Sequence, residues 1–368
     1  MNKIIGIDVF SALHSPRGMG VYTINFLKEL AKIDKETKYI LYADVEDKDG
    51  VLPKQENFEF KILPANGLFH YEQVVLPKQC KKDGIFILHS PANTSPIFLD
   101  KKIKRIISLH DVIFLKKEIP LSKNKKQILG RIYYVLTALL NARKARFLIT
   151  PTEYSKQDII KELNINTDKI IVDTRGAEHF NMSEVTLFQD LKEKYNIPEN
   201  YFFHIGGDAP TKNTDTLLEV FSKNGKYNIV VAGVKKLETS HLYQRFNKYK
   251  NITFVPYISQ SDIVGLYQNA QAFIFPSIYE GFGLPLLEAM KSECPLLCSK
   301  GTCLPEVAGD AALFFNPKDK NEIEEKIEFI STNKKLQQDL IKAGKERLKL
   351  FSWKKVAEIT LGVYSNVY

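Results

Sequence analysis

Along most of this chain, short β-branched and aromatic runs alternate with amphipathic stretches: KIIGIDVF, then VYTINFLKELAKI; YILYAD; GIFILHS; RIISLHDVIF; FLITPT, then SKQDIIKEL; KIIVD. Apolar runs of this length suit buried strands, and the stretches between them carry the spacing of helices with one apolar face. Strands joined through helices form βαβ units, so the pattern predicts an α/β chain with a parallel sheet. After residue 200 the rhythm restarts with YFFHIGG and TDTLLEVFSK, NIVVAG, NITFVPY and SDIVGLYQNA, AFIFPS, PLLCS, AALFFNP and KNEIEEKIEFI. The restart predicts a second domain of the same kind. The polar stretch HFNMSEVTLFQDLKEKYNIPEN reads as the connection, which sets the expected domains at 1–185 and 186–351. The tail LKLFSWKKVAEITLGVYSNVY holds a cap candidate in Ser352 and the only Trp, Trp353; it predicts a last helix over about 352–368 that can reach back to the first domain.

A length of 368 residues with 44% hydrophobic content is enough to core both domains. The N-terminal stretch lacks the regions of a secretory signal, and no apolar run approaches the roughly 20 residues of a membrane span, so a cytoplasmic protein is expected. Cys80, Cys294, Cys298 and Cys303 have no histidine at ligand spacing, which favours small buried hydrophobes in a reducing compartment over a zinc site. The net charge of +9 suggests an anionic partner: phosphates, nucleic acid or a membrane surface.

Ligands of open parallel sheets collect at the carboxyl ends of strands, and four polar clusters fall there. In SPRGMGVYT, after the first strand, Gly18 and Gly20 let the backbone approach an anion at a helix start; the third glycine of a dinucleotide fingerprint is missing. In SLHDVIF, His110 either projects into a cleft or satisfies its hydrogen bonds with Asp111. In HIGGDAPTKNTDTLL, Gly206 and Gly207 form a turn, and Lys212 precedes a helix that Asn213 or Thr214 can cap. Its ammonium is either an ordinary surface charge or one that reaches a diphosphate.

The fourth cluster is YEGFGLPLLEAM. Pro285 suits a first helical turn, which leaves the amides around Gly283 and Leu284 for phosphate oxygens. Glu288 can accept bonds from the vicinal hydroxyls of a ribose, and Glu280 from a sugar. As a hydrolase pair the two acids are ill placed: eight residues of helical rise would set them about 12 Å apart, against the roughly 5 to 9.5 Å that glycosidases use. Two exposed glutamates flanking a turn are the plainer alternative.

EGFGLPLLE, followed by GTCLPEVAGDAALFFNP, resembles the family-four retaining glycosyltransferases, whose GT-B architecture has two facing Rossmann-like domains with an interdomain cleft. The glycine loop at Gly18 to Gly20, His110 before Asp111, TPTEYSKQDI, the KN of APTKN and the terminal FSW helix extend the resemblance over nearly the whole chain. It implies that Glu288 holds the ribose of a nucleotide-diphosphate sugar and Glu280 the donor sugar. Lys212 neutralises the diphosphate, assisted by Gly18, Gly20, Gly206, Gly207 and the Gly281, Phe282, Gly283 and Leu284 backbone. His110 bonds the donor sugar or polarises the acceptor side, and the base lies near Val255, Pro256 and Tyr257. No cofactor and no divalent metal are implied, because protein cations and amides neutralise the leaving group.

The short form of the chain and its LPEVAGDAALFFNP segment resemble bacterial mannosyl- and rhamnosyltransferases of surface-polysaccharide synthesis, with GDP-mannose or dTDP-rhamnose as donor and a glycan or lipid-linked acceptor. One departure stands out. Many members place an arginine where this chain has Asp208, so Arg17 or Arg175 would have to supply the second phosphate-binding cation. A nucleotide-sugar epimerase of similar shape, or a binding protein without catalysis, is the alternative.

Residues 116–146, KKEIPLSKNKKQILGRIYYVLTALLNARKAR, set nine basic residues against the single acid Glu118 around an apolar centre. This composition suits either an anionic membrane surface, which would make the protein peripheral on the inner face of the plasma membrane, or a core-packed helix with a basic rim. No nucleic-acid-binding module is recognisable, and nucleic acid is not an expected partner.

Overall fold

The computed structural model describes residues 4–14, 18–116, 125–234, 236–256 and 258–367. They form two units, one of residues 1–176 with 352–368 and one of residues 177–351.

In the first unit, strands β1 (Ile5–Asp8), β2 (Tyr39–Ala43), β3 (Phe58–Ile62), β4 (Ile87–Ser90), β5 (Lys104–Ser108), β6 (Phe147–Thr150) and β7 (Ile170–Val172) form a sheet in the order β3-β2-β1-β4-β5-β6-β7. Every pairing is parallel, with Ile5 opposite both Tyr39 and Ile87. The order reverses direction between β1 and β4, which opens a crevice at their carboxyl ends. Helix Met19–Ile33 buries Tyr22, Phe26, Leu27 and Leu30, a one-face spacing, and packs against the C-terminal helix Trp353–Ser365. Ser352 caps that last helix by accepting from the Lys354 amide, and Trp353 is buried at its first turn.

The second unit repeats the plan with β8 (Phe202–Ile205), β9 (Ile229–Ala232), β10 (Ile252–Phe254), β11 (Phe273–Phe275), β12 (Leu296–Ser299) and β13 (Ala312–Phe315), in the order β10-β9-β8-β11-β12-β13. Its strands are likewise parallel and reverse order between β8 and β11. Phe202, Val231, Ile274 and Leu297 of the sheet share a core with Leu217 and Phe221 of helix Thr214–Asn224 and with Ile323, Ile327 and Ile330 of helix Lys320–Thr332.

The boundary lies at residue 176, before the expected 185, because the segment that follows is pinned to the second unit. Lys291 donates to the Ala177 carbonyl, Gln260 to the His179 carbonyl, Phe180 packs edge-on against Tyr267, and Thr186 donates to Asp262. A polar composition that reads as linker is here a strap held by hydrogen bonds. Among the described residues, no helix is long and apolar enough to cross a membrane.

Candidate functional site

The reversal point of the second sheet gathers most of the residues singled out above. The loop after β8 turns through Gly206, whose amide donates to the Ala232 carbonyl. A Cβ on Gly206 would stand 2.1 Å from His204 Nε2 and 2.5 Å from Thr214 Oγ1, so only glycine fits. On the next loop Gly233, which the sequence did not single out, comes so close that its own Cβ would meet the Gly206 carbonyl at 2.6 Å. Two bare backbones therefore meet at the mouth of β8 and β9.

Beyond that turn Lys212 closes a 3-10 turn, Pro210–Lys212. Asn213 does occupy the cap position of the next helix, but in a left-handed conformation, and its amide donates to the Pro317 carbonyl instead of serving as a side-chain cap. Lys212 Nζ lies 2.7 Å from Glu280 Oε1 and 5.3 Å from the centre of the Phe275 ring. Glu280 belongs to the loop after β11, so adjacent strands on either side of the reversal deliver a cation and an acid to one point. The Glu280 backbone is held on both sides, its amide by Thr302 Oγ1 and its carbonyl by Cys303 Sγ. Neither Thr302 nor Cys303 was expected here, and Cys303 serves as a weak donor as well as a buried hydrophobe.

The helix that follows runs from Leu284 to Lys291, with Gly283 as its cap at φ +95 and Pro285 in its first turn. Glu280 stands outside the helix, so helical rise does not set the distance between Glu280 and Glu288 assumed above. A Cβ on Gly283 would meet Leu304 Cδ2 at 2.9 Å, and the left-handed backbone is itself costly for any other residue. Pro285 has no N–H and the Leu286 amide donates to the Gly283 carbonyl, so the Leu284 amide is the donor that the first turn leaves for the site. Phe282 packs its ring edge-on against Phe351, which leaves only its backbone to the site. Glu288, one turn in, accepts from Tyr267 OH at 3.4 Å and lies 3.8 Å from His179 Nε2. Of the base region, Val255 is buried with its amide bonded to Val231, Pro256 is exposed, and Tyr257 lies outside the described residues.

Asp208 stands in the arginine's place and is engaged elsewhere: it accepts from Ser240 Oγ at 2.8 Å and pairs with His241 Nδ1 at 2.9 Å. It braces the loop before helix His241–Phe246. Arg17 lies outside the described residues.

In the first unit Gly18 caps helix Met19–Ile33 at φ +50 and ψ −105, a backbone state that glycine tolerates and side chains do not. Gly20 is buried in the first turn. His110 follows β5, but its ring neither pairs with Asp111 nor stands free. Nε2 lies 2.8 Å from the Pro91 carbonyl and Nδ1 receives Arg175 Nη2 at 2.9 Å. Those partners set the Nε2–H tautomer, and burial beside the Arg175 charge takes the ring's pKa down to about 3. Asp111 instead accepts from the Ile113 amide.

Arg175 is itself buried, paired with Asp173 and stacked 4.1 Å over the Tyr22 ring, so it is a poor candidate for a free phosphate cation. Hydrogen bonds continue from Asp173 to Tyr22 OH, to Ser108 Oγ, to His89 and to Tyr364 OH of the C-terminal helix. Apart from Ser108, two residues before His110 on β5, these partners were not legible beforehand, because Asp173, Tyr22, His89 and Tyr364 come from other elements.

The 116–146 face is described in part: residues 117–124 lie outside the described residues. Lys116 pairs with Asp158 and Glu162, and Arg131 donates to the Phe114 and Lys116 carbonyls, so two of its cations are engaged within the unit. Helix Lys125–Asn141 nevertheless exposes Leu129, Ile132, Leu136, Leu139 and Leu140.

Residues 188–347 match the family of glycosyl transferases group 1. This stretch is a group 1 glycosyltransferase domain. It covers the reversal point of the second sheet, with Lys212, Glu280 and Glu288 inside it. The chain is 30% identical over 231 residues to the O-antigen chain mannosyltransferase B of Escherichia coli, which covers 60% of this chain and spans 60% of that relative's length. Among solved structures, sucrose-phosphate synthase of Thermosynechococcus elongatus superposes with a TM-score of 0.75 at 17% identity, covering 99% of both chains. WaaG, a glycosyltransferase involved in lipopolysaccharide biosynthesis, does so with 0.71 at 13% identity, covering 98% of this chain and 99% of its own. The glycosyltransferase domain and its partner unit thus have the two Rossmann-like sheets of the GT-B fold.

Proposed function

We propose that this chain transfers a hexose, mannose before rhamnose, from a nucleotide-diphosphate sugar to a hydroxyl of a glycan or lipid-linked acceptor, with retention at the anomeric carbon. The observation that carries this reading is the pairing of Lys212 with Glu280 at 2.7 Å, where the second sheet reverses and a glycine-capped helix begins. As the C1–O bond breaks, negative charge grows on the departing diphosphate, and fixed donors aimed at that charge lower the barrier most. The Lys212 ammonium and the Leu284 amide at the start of helix Leu284–Lys291 supply such donors without a divalent metal. Glu280 accepts from the donor sugar's hydroxyls and Glu288 from the ribose. Attack on the same face, with the leaving phosphate taking the acceptor's proton, gives retention with no enzyme nucleophile. The similarity to an O-antigen chain mannosyltransferase supports mannose as the sugar. The exposed leucines of helix Lys125–Asn141 support a membrane-bound acceptor.

The test is release of the nucleoside diphosphate from GDP-mannose, dTDP-rhamnose and UDP-glucose by the full chain, in chelator, with and without a mannosylated lipid acceptor. Acceptor-dependent release from GDP-mannose is the expected result. A changed sugar without acceptor would establish the epimerase reading. Binding with no turnover from any donor would establish a non-catalytic binding protein, which the engagement of Asp208 away from the site favours.

A further inference from the structure

His110 stands at the carboxyl end of β5, and the opposite end of the same sheet carries a feature the transfer reaction does not use. A cavity of about 940 Å³ opens beside the amino ends of β5, β6 and β7. Its lining is dominated by cations, among them Lys78, Lys81, Lys104, Arg105, Lys144 and Arg146, against the single carboxylate of Asp100.

Arg105 is the informative member. It is 7% exposed, its Nη2 donates to the Pro96 carbonyl, and its Nε finds no acceptor among the described residues. Burial, with no carboxylate to offset it, brings its pKa down to about 10. A buried guanidinium without a counter-charge is costly, and an anion entering from outside removes that cost. The rim adds a second chemistry. Phe98 lines the cavity yet is 82% exposed, and helix Lys125–Asn141, with its exposed leucines, leads directly into Lys144 and Arg146. Cations gathered beside apolar side chains in water match an anionic bilayer surface, where phosphate meets acyl chain.

We propose that this cavity receives the phosphate of an anionic lipid headgroup, with Phe98 and the leucine row seated among the acyl chains. The inference rests on the membrane reading above for the source of its ligand.

The test is flotation of the full chain with phosphatidylcholine vesicles, with and without phosphatidylglycerol. Wild type should float with the anionic vesicles. Lys104→Glu with Lys144→Glu should weaken that binding more than tenfold, while Lys335→Glu with Lys342→Glu, an equal charge change on exposed lysines of the other unit, should weaken it far less. Arg105→Gln should weaken binding and raise the thermal midpoint, whereas a purely structural arginine would lower the midpoint. Equal losses in the two double variants would reduce the effect to diffuse charge and overturn the pocket, leaving the membrane reading in place. No flotation of wild type would overturn both, and a midpoint raised by inorganic pyrophosphate in that case would assign the cavity to free phosphate. Acceptor-dependent turnover with a soluble acceptor is read alongside, so that loss of the transferase reading is seen separately.

Discussion

Lys212 and Glu280 show what a single pair can and cannot do for a fold. Their side chains remain partly open to water, so the pair contributes roughly 0–1 kcal/mol to stability. Its value lies instead in holding an ammonium where leaving-group charge develops. Lys212→Met is expected to lower the turnover of the nucleotide sugar by about a hundredfold or more, on the scale of losing one fixed donor, with the thermal midpoint nearly unchanged. Initial rates and a melting curve decide it; an unaltered rate would remove Lys212 from the reaction. The lysine was legible from its place ahead of a helix. Its partner was not, because the two residues stand 68 positions apart and only the sheet order makes them neighbours. His110 is the converse case: its position at a strand end was legible, and its tautomer was set by Arg175 and Pro91, which no local pattern announces.

At the scale of the element, the turn from Gly281 into helix Leu284–Lys291 is the part that the sequence described best. Gly-Phe-Gly-Leu-Pro carries its own instructions: a glycine for the left-handed cap, a proline for the first turn, and an apolar face that follows. Gly283→Ala is expected to cost on the order of 1–3 kcal/mol, since the new Cβ adds a clash with Leu304 to an unfavourable φ. It should also weaken nucleotide-diphosphate binding, because the helix start that presents the Leu284 amide must shift. A titration of GDP into the variant, monitored beside its denaturation midpoint, checks both effects; unchanged affinity would mean the amide does not touch the diphosphate. The C-terminal helix is the element whose role was least legible. Its cap and Trp353 were visible, but not that Tyr364 would lie 2.7 Å from buried His89 and begin a chain of hydrogen bonds that ends at His110.

For the molecule as a whole, buried titratable groups set an unusual response to pH. His89 and His110 titrate near 3 and His204 near 4, each lowered first by burial. The unfolded chain takes up protons at these sites below about pH 6.5 while the folded one does not, so their contribution to stability is lost as pH falls through that window. Asp8 acts in the opposite sense. Burial, with Glu72 nearby, raises it to about 7, so the folded state holds a proton that the unfolded state has released, and stability falls as pH rises from about 4 to 7. Wild type should therefore lose stability as pH falls from about 6.5 to 4, less steeply than the three histidines alone would dictate. Asp8→Asn should melt higher than wild type above pH 7 and lose stability more steeply on acidification; superimposable profiles would refute the assignment. The sequence by itself determined the two βα series, the strand-end placement of the glycine loops and acids, and the helix starts, because periodicity, turn chemistry and capping act over a few neighbouring residues. Only the tertiary structure decided which strands lie side by side, and with that the Lys212–Glu280 pair, the environment of His110 and the unpartnered Arg105, because these depend on strand order and burial, which no short window of residues contains.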